Sequence, residues 1–329
     1  MRRLMAALVC LGGLAAGAAR AEVAEITLGQ QFGLSFLPMM YMEHAGLIEK
    51  HAAVQGLPKP KVTWAKLAGP SNLNEGLISG AIQFTALGTP SIGLLWDRTR
   101  GDVKGLVAIC SYPLYLNTRT PGVKSLKDFG PTDKIAVPSV KVSTQAIMLQ
   151  MQAEKEWGPG EHFKIDSQTV SLGHPDAMAA LLGNTEVTAH FASSPFHEME
   201  RKDGRIHTVM TSYEILGGQA TAATMITSER FKKANPKTVQ AVLDATLEAI
   251  DYLNADKRRA AELYLKLAGG KSSVDELLAI ISHPDWNFTA TPQKIGKTVQ
   301  FMNKLGTVKT PVTDWKQLFF PEVHNLPGD

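Results

Sequence analysis

Between residues 61 and 211 the chain runs twice through the same order of segments, and few folds accommodate such a pattern. In the first pass, 61–67 reads as a strand and 71–79 as a helix with Ser71 as its cap and Gly80 as its stop. A short strand at 84–87 then leads into Gly88-Thr89-Pro90. In the second pass, 166–172 is a strand and 175–182 a helix stopped by Gly183. A strand at 187–191 then leads into Ser193-Ser194-Pro195. Each pass ends with small residues and a proline that opens a helix, where its missing N–H is no loss. Strand–helix alternation predicts parallel α/β sheets with helices on their faces. The repetition predicts two lobes of like topology, each presenting helix starts at the carboxyl end of its sheet, where open α/β sheets bind ligands.

The flanks extend the pattern. Residues 25–30, 104–110, 134–137 and 206–211 read as strands, and 38–50, 89–98, 143–157 and 195–202 as helices. After Thr227 only helices are predicted: 230–235, 237–254, 256–268, 272–281 and 292–305. Val239, Val242, Leu243, Ile250 and Leu253 form an apolar stripe at helical spacing, which is packing rather than chemistry.

The chain opens with Arg2-Arg3, a short apolar run and Ala19-Arg20-Ala21, the pattern of a secretory leader cleaved after Ala21. Cys10 raises a lipoprotein alternative, but Val9 precedes it where a small residue is wanted. Of 34 Lys+Arg and 31 Asp+Glu, the leader carries Arg2, Arg3 and Arg20, which leaves 31 of each sign. A neutral product gives no support for a nucleic-acid or membrane-surface partner. Cys110, in an apolar stretch, is expected to be a buried hydrophobe. The nine histidines form no metal-binding spacing, and no nucleophile elbow, phosphate loop or paired-carboxylate motif is present. No metal, no cofactor and no catalytic residue are therefore expected, and binding is favoured over catalysis.

The order of motifs resembles a known family. The loop Gly29-Gln30-Gln31-Phe32-Gly33-Leu34-Ser35-Phe36-Leu37-Pro38, the helix ending Glu43-His44-Ala45-Gly46-Leu47-Ile48-Glu49-Lys50, and the segment from Asn72 to Gly80 with Ile82-Gln83-Phe84 carry the first part. Ser125-Leu126-Lys127-Asp128-Phe129 followed by Lys134-Ile135-Ala136-Val137-Pro138 carries the second. Together they resemble the periplasmic solute-binding proteins of nitrate/sulfonate/taurine-type ABC importers, whose relatives include binders of thiamine-precursor pyrimidines. Gln83 stands where that family often has Asp, and Gly76 where it has a small residue of an Ala-Leu pair.

The resemblance implies an α/β two-lobe clamp of the type II periplasmic kind, each lobe a mainly parallel sheet flanked by helices. Residues 1–21 would be the signal peptide, 22–113 plus 219–329 a discontinuous lobe one carrying the extra helices, and 114–218 lobe two. Tyr112-Pro113 and Gly217-Gly218-Gln219 would be the hinge. It implies a periplasmic monomer that delivers a small solute to an inner-membrane permease with its ATPase. Candidate ligand-binding residues are Gln31, Ser35, Phe36, Trp64, Thr89, Ser139, Ser143, Thr144, Ser193 and Ser194. Their hydroxyls and free helix N–H groups suit a sulfonate, nitrate or carboxylate, and the aromatics suit an apolar or aromatic tail. Each hydroxyl is equally well read as a plain helix cap. The alternatives are a pyrimidine-precursor binding or synthesis protein of the thiamine type, and a ligand sensor or tripartite-transporter subunit.

Overall fold

The structure is a computed structural model that describes residues 21–270 and 272–329; residues 1–20 of the expected leader lie outside the described residues. β1 (Glu25–Gln30) is followed by a 3-10 turn and by α1 (Leu37–Ala45) and α2 (Leu47–Val54). The sequence predicts one helix over 38–50. It breaks instead at Gly46, whose φ of 62° is open to glycine at little cost. β2 (Lys61–Lys66), α3 (Pro70–Ser79), β3 (Phe84–Leu87), α4 (Thr89–Arg98) and β4 (Val103–Ser111) follow. α3 is capped by Gly69 rather than Ser71, because Pro70 already occupies its first turn.

β5 (Tyr115–Thr118), β6 (Lys134–Val137), α5 (Thr144–Trp157), β7 (Thr169–Ser171), α6 (His174–Leu182), β8 (Val187–Ala192), α7 (Phe196–Glu200) and β9 (His207–Thr211) build the second unit. α8 (Ser212–Leu216) leads to β10 (Thr221–Ser228), and then come α9 (Glu229–Ala234), α10 (Pro236–Ala255), α11 (Lys257–Ala268), α12 (Val274–Ser282) and α13 (Ile295–Lys304).

Two five-stranded sheets result, ordered β2-β1-β3-β10-β4 and β7-β6-β8-β5-β9. In each, four strands run one way and the fourth in order runs against them. The sheets are thus mixed. β10 belongs to the first sheet although the whole second sheet precedes it in sequence. The chain passes between sheets twice, after β4 and after β9. α10 packs on α1 and α2, and α13 on α4, so the late helices cover the first sheet. Val239, Val242, Leu243, Ile250 and Leu253 of α10 are all buried, as their helical spacing predicts. No helix among the described residues is long and apolar enough to cross a membrane.

Candidate functional site

The carboxyl ends of both sheets meet, and a cleft lies between them. It is lined by Gln31 and Phe32 after β1, Ser35 and Phe36 in the following turn, Pro70 at the start of α3, Gly88 after β3 and Ser91 on α4. Tyr112 and Leu114 come from the first crossing, and Ala222 and Ala223 from the start of β10. The second sheet supplies Pro138, then Ser143, Thr144 and Gln145 at the start of α5, His174 at the start of α6, and Ser193 after β8. None of these residues is Lys, Arg, Asp or Glu. The free volume is about 50 Å³, room for only a few water-sized groups when each needs ~10–15 Å³.

The walls are close because glycines of the first sheet face hydroxyls and carbonyls of the second. A Cβ on Gly88 would fall 2.1 Å from Thr144 Oγ1, and one on Gly69 2.4 Å from the Pro138 carbonyl oxygen. The Leu34 N–H donates to the Ser194 carbonyl at 3.0 Å, and the Ser71 N–H to Ser139 Oγ at 3.5 Å. Lys202 pairs with Glu276 at 2.6 Å across the same divide, and Lys304 pairs with Glu154.

Gln31, Ser35, Phe36, Ser143, Thr144 and Ser193 are thus brought together. Ser193 is 2% exposed, and its hydroxyl has no partner in hydrogen-bond geometry among the described residues. Ser143 is a cap: its Oγ accepts from the Ala146 N–H at 3.3 Å and donates to the Ser139 carbonyl at 2.7 Å. The remaining candidates do not line the cleft. Trp64 is half-buried on β2, paired with Leu28 in the register of the sheet. Thr89 is buried one residue past Gly88. Ser139 serves the contact between the sheets just described. Ser194 faces a separate cavity of about 370 Å³ with Tyr115 and Trp286, and its hydroxyl donates to Glu198 Oε1 at 2.7 Å. Burial pushes the Glu198 carboxyl up from its usual range.

Tyr112, Gln145 and His174 are missing from the sequence-based set. Tyr112 is stacked on Trp286 with ring centroids 4.2 Å apart, and its hydroxyl lies beside those of Ser35 and Ser193. Burial drives the phenol well above its usual pKa, which keeps it a neutral donor. His174 could have been found from the repeat itself, since Gly173-His174-Pro175 opens the helix that matches Gly69-Pro70-Ser71.

Behind His174 runs a buried chain of polar groups. His174 Nδ1 is 2.8 Å from His190 Nε2, and His190 Nδ1 is 2.5 Å from Glu200 Oε1. The other Glu200 oxygen accepts from Asn117 Nδ2 at 2.7 Å. His190 and Glu200 are fully buried. At the cleft end, His174 Nε2 lies 3.4 Å from Gln145 Nε2. Burial, and then the neighbouring His190, hold His174 well below the usual histidine pKa. Beside the chain, His197 stacks on Tyr115 and is lowered to about 4 by burial and by Arg201. The chain is linear, and no group of three or more His, Cys, Asp or Glu among the described residues is placed to hold a metal.

A further cavity of about 310 Å³ shares Phe32 with the cleft and is lined by Met40, Lys66, Met178, Phe196, Met199 and Tyr264 among others. Lys66 Nζ sits 5.3 Å from the centroid of the Phe32 ring.

Solved structures with this arrangement are many. The alkanesulfonate-binding protein SsuA from Xanthomonas axonopodis pv. citri, bound to MOPS, superposes with a TM-score of 0.69 at 17% identity, over 91% of this chain and 95% of that one. The periplasmic nitrate-binding protein NrtA from Synechocystis PCC 6803 gives 0.65 at 15% identity, over 90% and 84%. The Candida albicans CA3427 gene product, described as having the generic periplasmic binding protein fold, gives 0.65 at 16%, over 89% and 94%. The chain has the periplasmic binding protein fold. A profile of the NMT1-like family also matches residues 122–267, from the approach to β6 through most of α11. Both findings agree with the resemblance drawn from the sequence. No curated protein matches the chain.

Proposed function

We propose that this protein is the solute-binding component of an ATP-driven importer and that it captures a small oxyanion of the sulfonate or nitrate class. The observation that carries this reading is the orphaned Ser193 hydroxyl. It is buried with no partner in hydrogen-bond geometry among the described residues, the Tyr112 hydroxyl lying beside it, in an uncharged cleft where the helix starts of α3, α4, α5 and α6 converge. Buried hydroxyls are normally satisfied, and helix N–H groups with hydroxyls suit an anion without a cationic side chain. The small free volume suits a head group. The adjoining apolar cavity suits an aliphatic or aromatic tail, as in a sulfonate larger than nitrate.

In this reading the two sheets are lobes that close on the solute. Residues 22–113 plus 219–329 form one lobe and 114–218 the other, with Tyr112-Pro113 and Gly217-Gly218-Gln219 as the hinge. The product of leader cleavage would act in the periplasm as a monomer and hand its solute to an inner-membrane permease. The similarity of the fold to sulfonate- and nitrate-binding proteins supports the solute class by analogy.

A thermal-shift screen of alkanesulfonates, taurine, nitrate, carboxylates and pyrimidines tests it, because a bound solute stabilises by mass action. Stabilisation by sulfonates or nitrate is expected. Ser193→Ala should leave the free protein's melting temperature unchanged or higher and weaken binding about tenfold, roughly 1.4 kcal/mol. Stabilisation by pyrimidines alone would overturn the oxyanion reading.

A further inference from the structure

The buried chain behind His174 has no role in shaping the cleft, yet it ends there. Its hydrogen bonds dictate where protons sit. Both Glu200 oxygens accept, one from Asn117 Nδ2 and one from His190 Nδ1. With its proton on Nδ1, a neutral His190 can only accept at Nε2, so His174 must donate from Nδ1. A neutral His174 then turns the lone pair of Nε2 toward the cleft, where it accepts from Gln145 Nε2 at 3.4 Å. An anion placed there would meet a lone pair, with the Glu200 charge behind it. One added proton reverses this. Nε2–H becomes a donor to the anion, while the imidazolium charge is balanced through His190 by Glu200.

Resting on the oxyanion reading of the cleft, we propose that the protein takes up one proton with each bound anion, held on His174 and balanced by Glu200 through His190. Glu200 and His190 are positioning residues, and His174 is the contact. The proton comes from solvent, and no bond other than N–H forms.

Other titratable groups packed around the chain are already engaged or lie apart. On α7, His197 faces Asn117 Oδ1 at 3.1 Å and Glu198 accepts from Ser194, and just past its end Arg201 donates to the Ile206 carbonyl. Tyr115 on β5 is stacked on His197. Asp176 on α6 is exposed, Lys134 on β6 is half-buried, and Tyr112 lies across the cleft. None of them bonds to His174 or His190.

The test uses two probes charged at every accessible pH, ethanesulfonate and nitrate, so that only the protein titrates. Calorimetry from pH 5 to 8 should show affinity rising as pH falls, by up to tenfold per unit, with about one proton taken up per anion. Glu200→Gln keeps the shape and removes the balancing charge, and His174→Gln keeps a donor at the cleft. Each should flatten the pH dependence, with uptake near zero. Nitrogen-15 NMR of the free protein should find the His174 proton on Nδ1, and this readout needs no ligand. Binding without pH dependence, or a free His174 protonated on Nε2, would overturn proton uptake while leaving the oxyanion reading intact. Failure of both anions to bind would overturn both, with the Nδ1 tautomer still reporting on the chain itself.

Discussion

Thr85 in the first sheet and His190 in the second hold the same position, third from the cleft end of the third strand in order. Both are fully buried, and both sit opposite the antiparallel strand, Thr85 against Ile226 and His190 against Asn117. Thr85 closes its need with one bond, from Oγ1 to the Gly29 carbonyl at 2.8 Å. His190 instead joins a chain that runs from Asn117 and Glu200 to the cleft at His174. One topology therefore carries two solutions. The first sheet is a scaffold under α10 and α13, where Thr85 and Thr227 each bond a neighbouring carbonyl and Thr224 Oγ1 is buried with no partner among the described residues. The second holds its ionisable groups in reserve at a cost in desolvation, which an inert scaffold would not need.

That contrast can be broken most directly at its two ends. Glu200→Ala leaves His190 and Asn117 without their acceptor and should cost about 3–5 kcal/mol in urea unfolding. Thr85→Val loses one neutral hydrogen bond and should cost about 1 kcal/mol. Equal losses would mean that the two positions are equivalent after all.

Acidification should single out the second sheet. The folded pKa of His197 is depressed to about 4 and that of His174 is lowered too. The unfolded chain therefore takes up these protons first as pH drops. Their stabilising effect is complete above the ordinary histidine pKa of roughly 6.5 and fades as pH falls toward about 4. The loss assigned to His197 should be on the order of 3 kcal/mol. Urea midpoints at both ends of that window, for the native chain and for His197→Gln, measure it. An unchanged loss in the variant would remove His197 from the account.

The contact between the sheets is sharpened by Gly88→Ala. Gly88 has an extended backbone that alanine adopts freely, but its Cβ would strike Thr144 Oγ1. Solute affinity should drop by about tenfold, roughly 1.4 kcal/mol, with little change in the free protein's melting temperature. An unchanged affinity would mean that the cleft closes less tightly on its solute. The smallest effect is expected at Ser143, where alanine removes a cap and should lower stability by ~1 kcal/mol. A loss of affinity larger than that of Thr144→Ala would make Ser143 a ligand contact as well.

Much of the fold was legible in the chain because its signals are local. Alternating segments, glycine stops and proline starts marked most of the elements, and the late helices appeared at nearly their observed bounds. β5 was not legible: Tyr115-Leu116-Asn117-Thr118 is too short to show a period, and only its partners β8 and β9 make it a strand. Of the candidate site, the hydroxyls at helix starts were readable, because capping and anion binding ask for the same residue types at the same place. Ser194 was drawn in by that same signal and Trp64 as an aromatic suited to a ligand tail, and neither lines the cleft.

Local chemistry is therefore what the sequence determined by itself: where helices begin and end, that two units repeat, and that hydroxyls rather than charges stand at the cleft. Tertiary structure alone decided that β10 lies between β3 and β4 and runs against both, and that His174, His190, Glu200 and Asn117 join into one chain. Those residues lie on α6, β8, α7 and β5, and no periodicity links them. Hydrogen bonds between elements depend on strand order and on how the helices pack, which are settled only when the whole sheet is assembled.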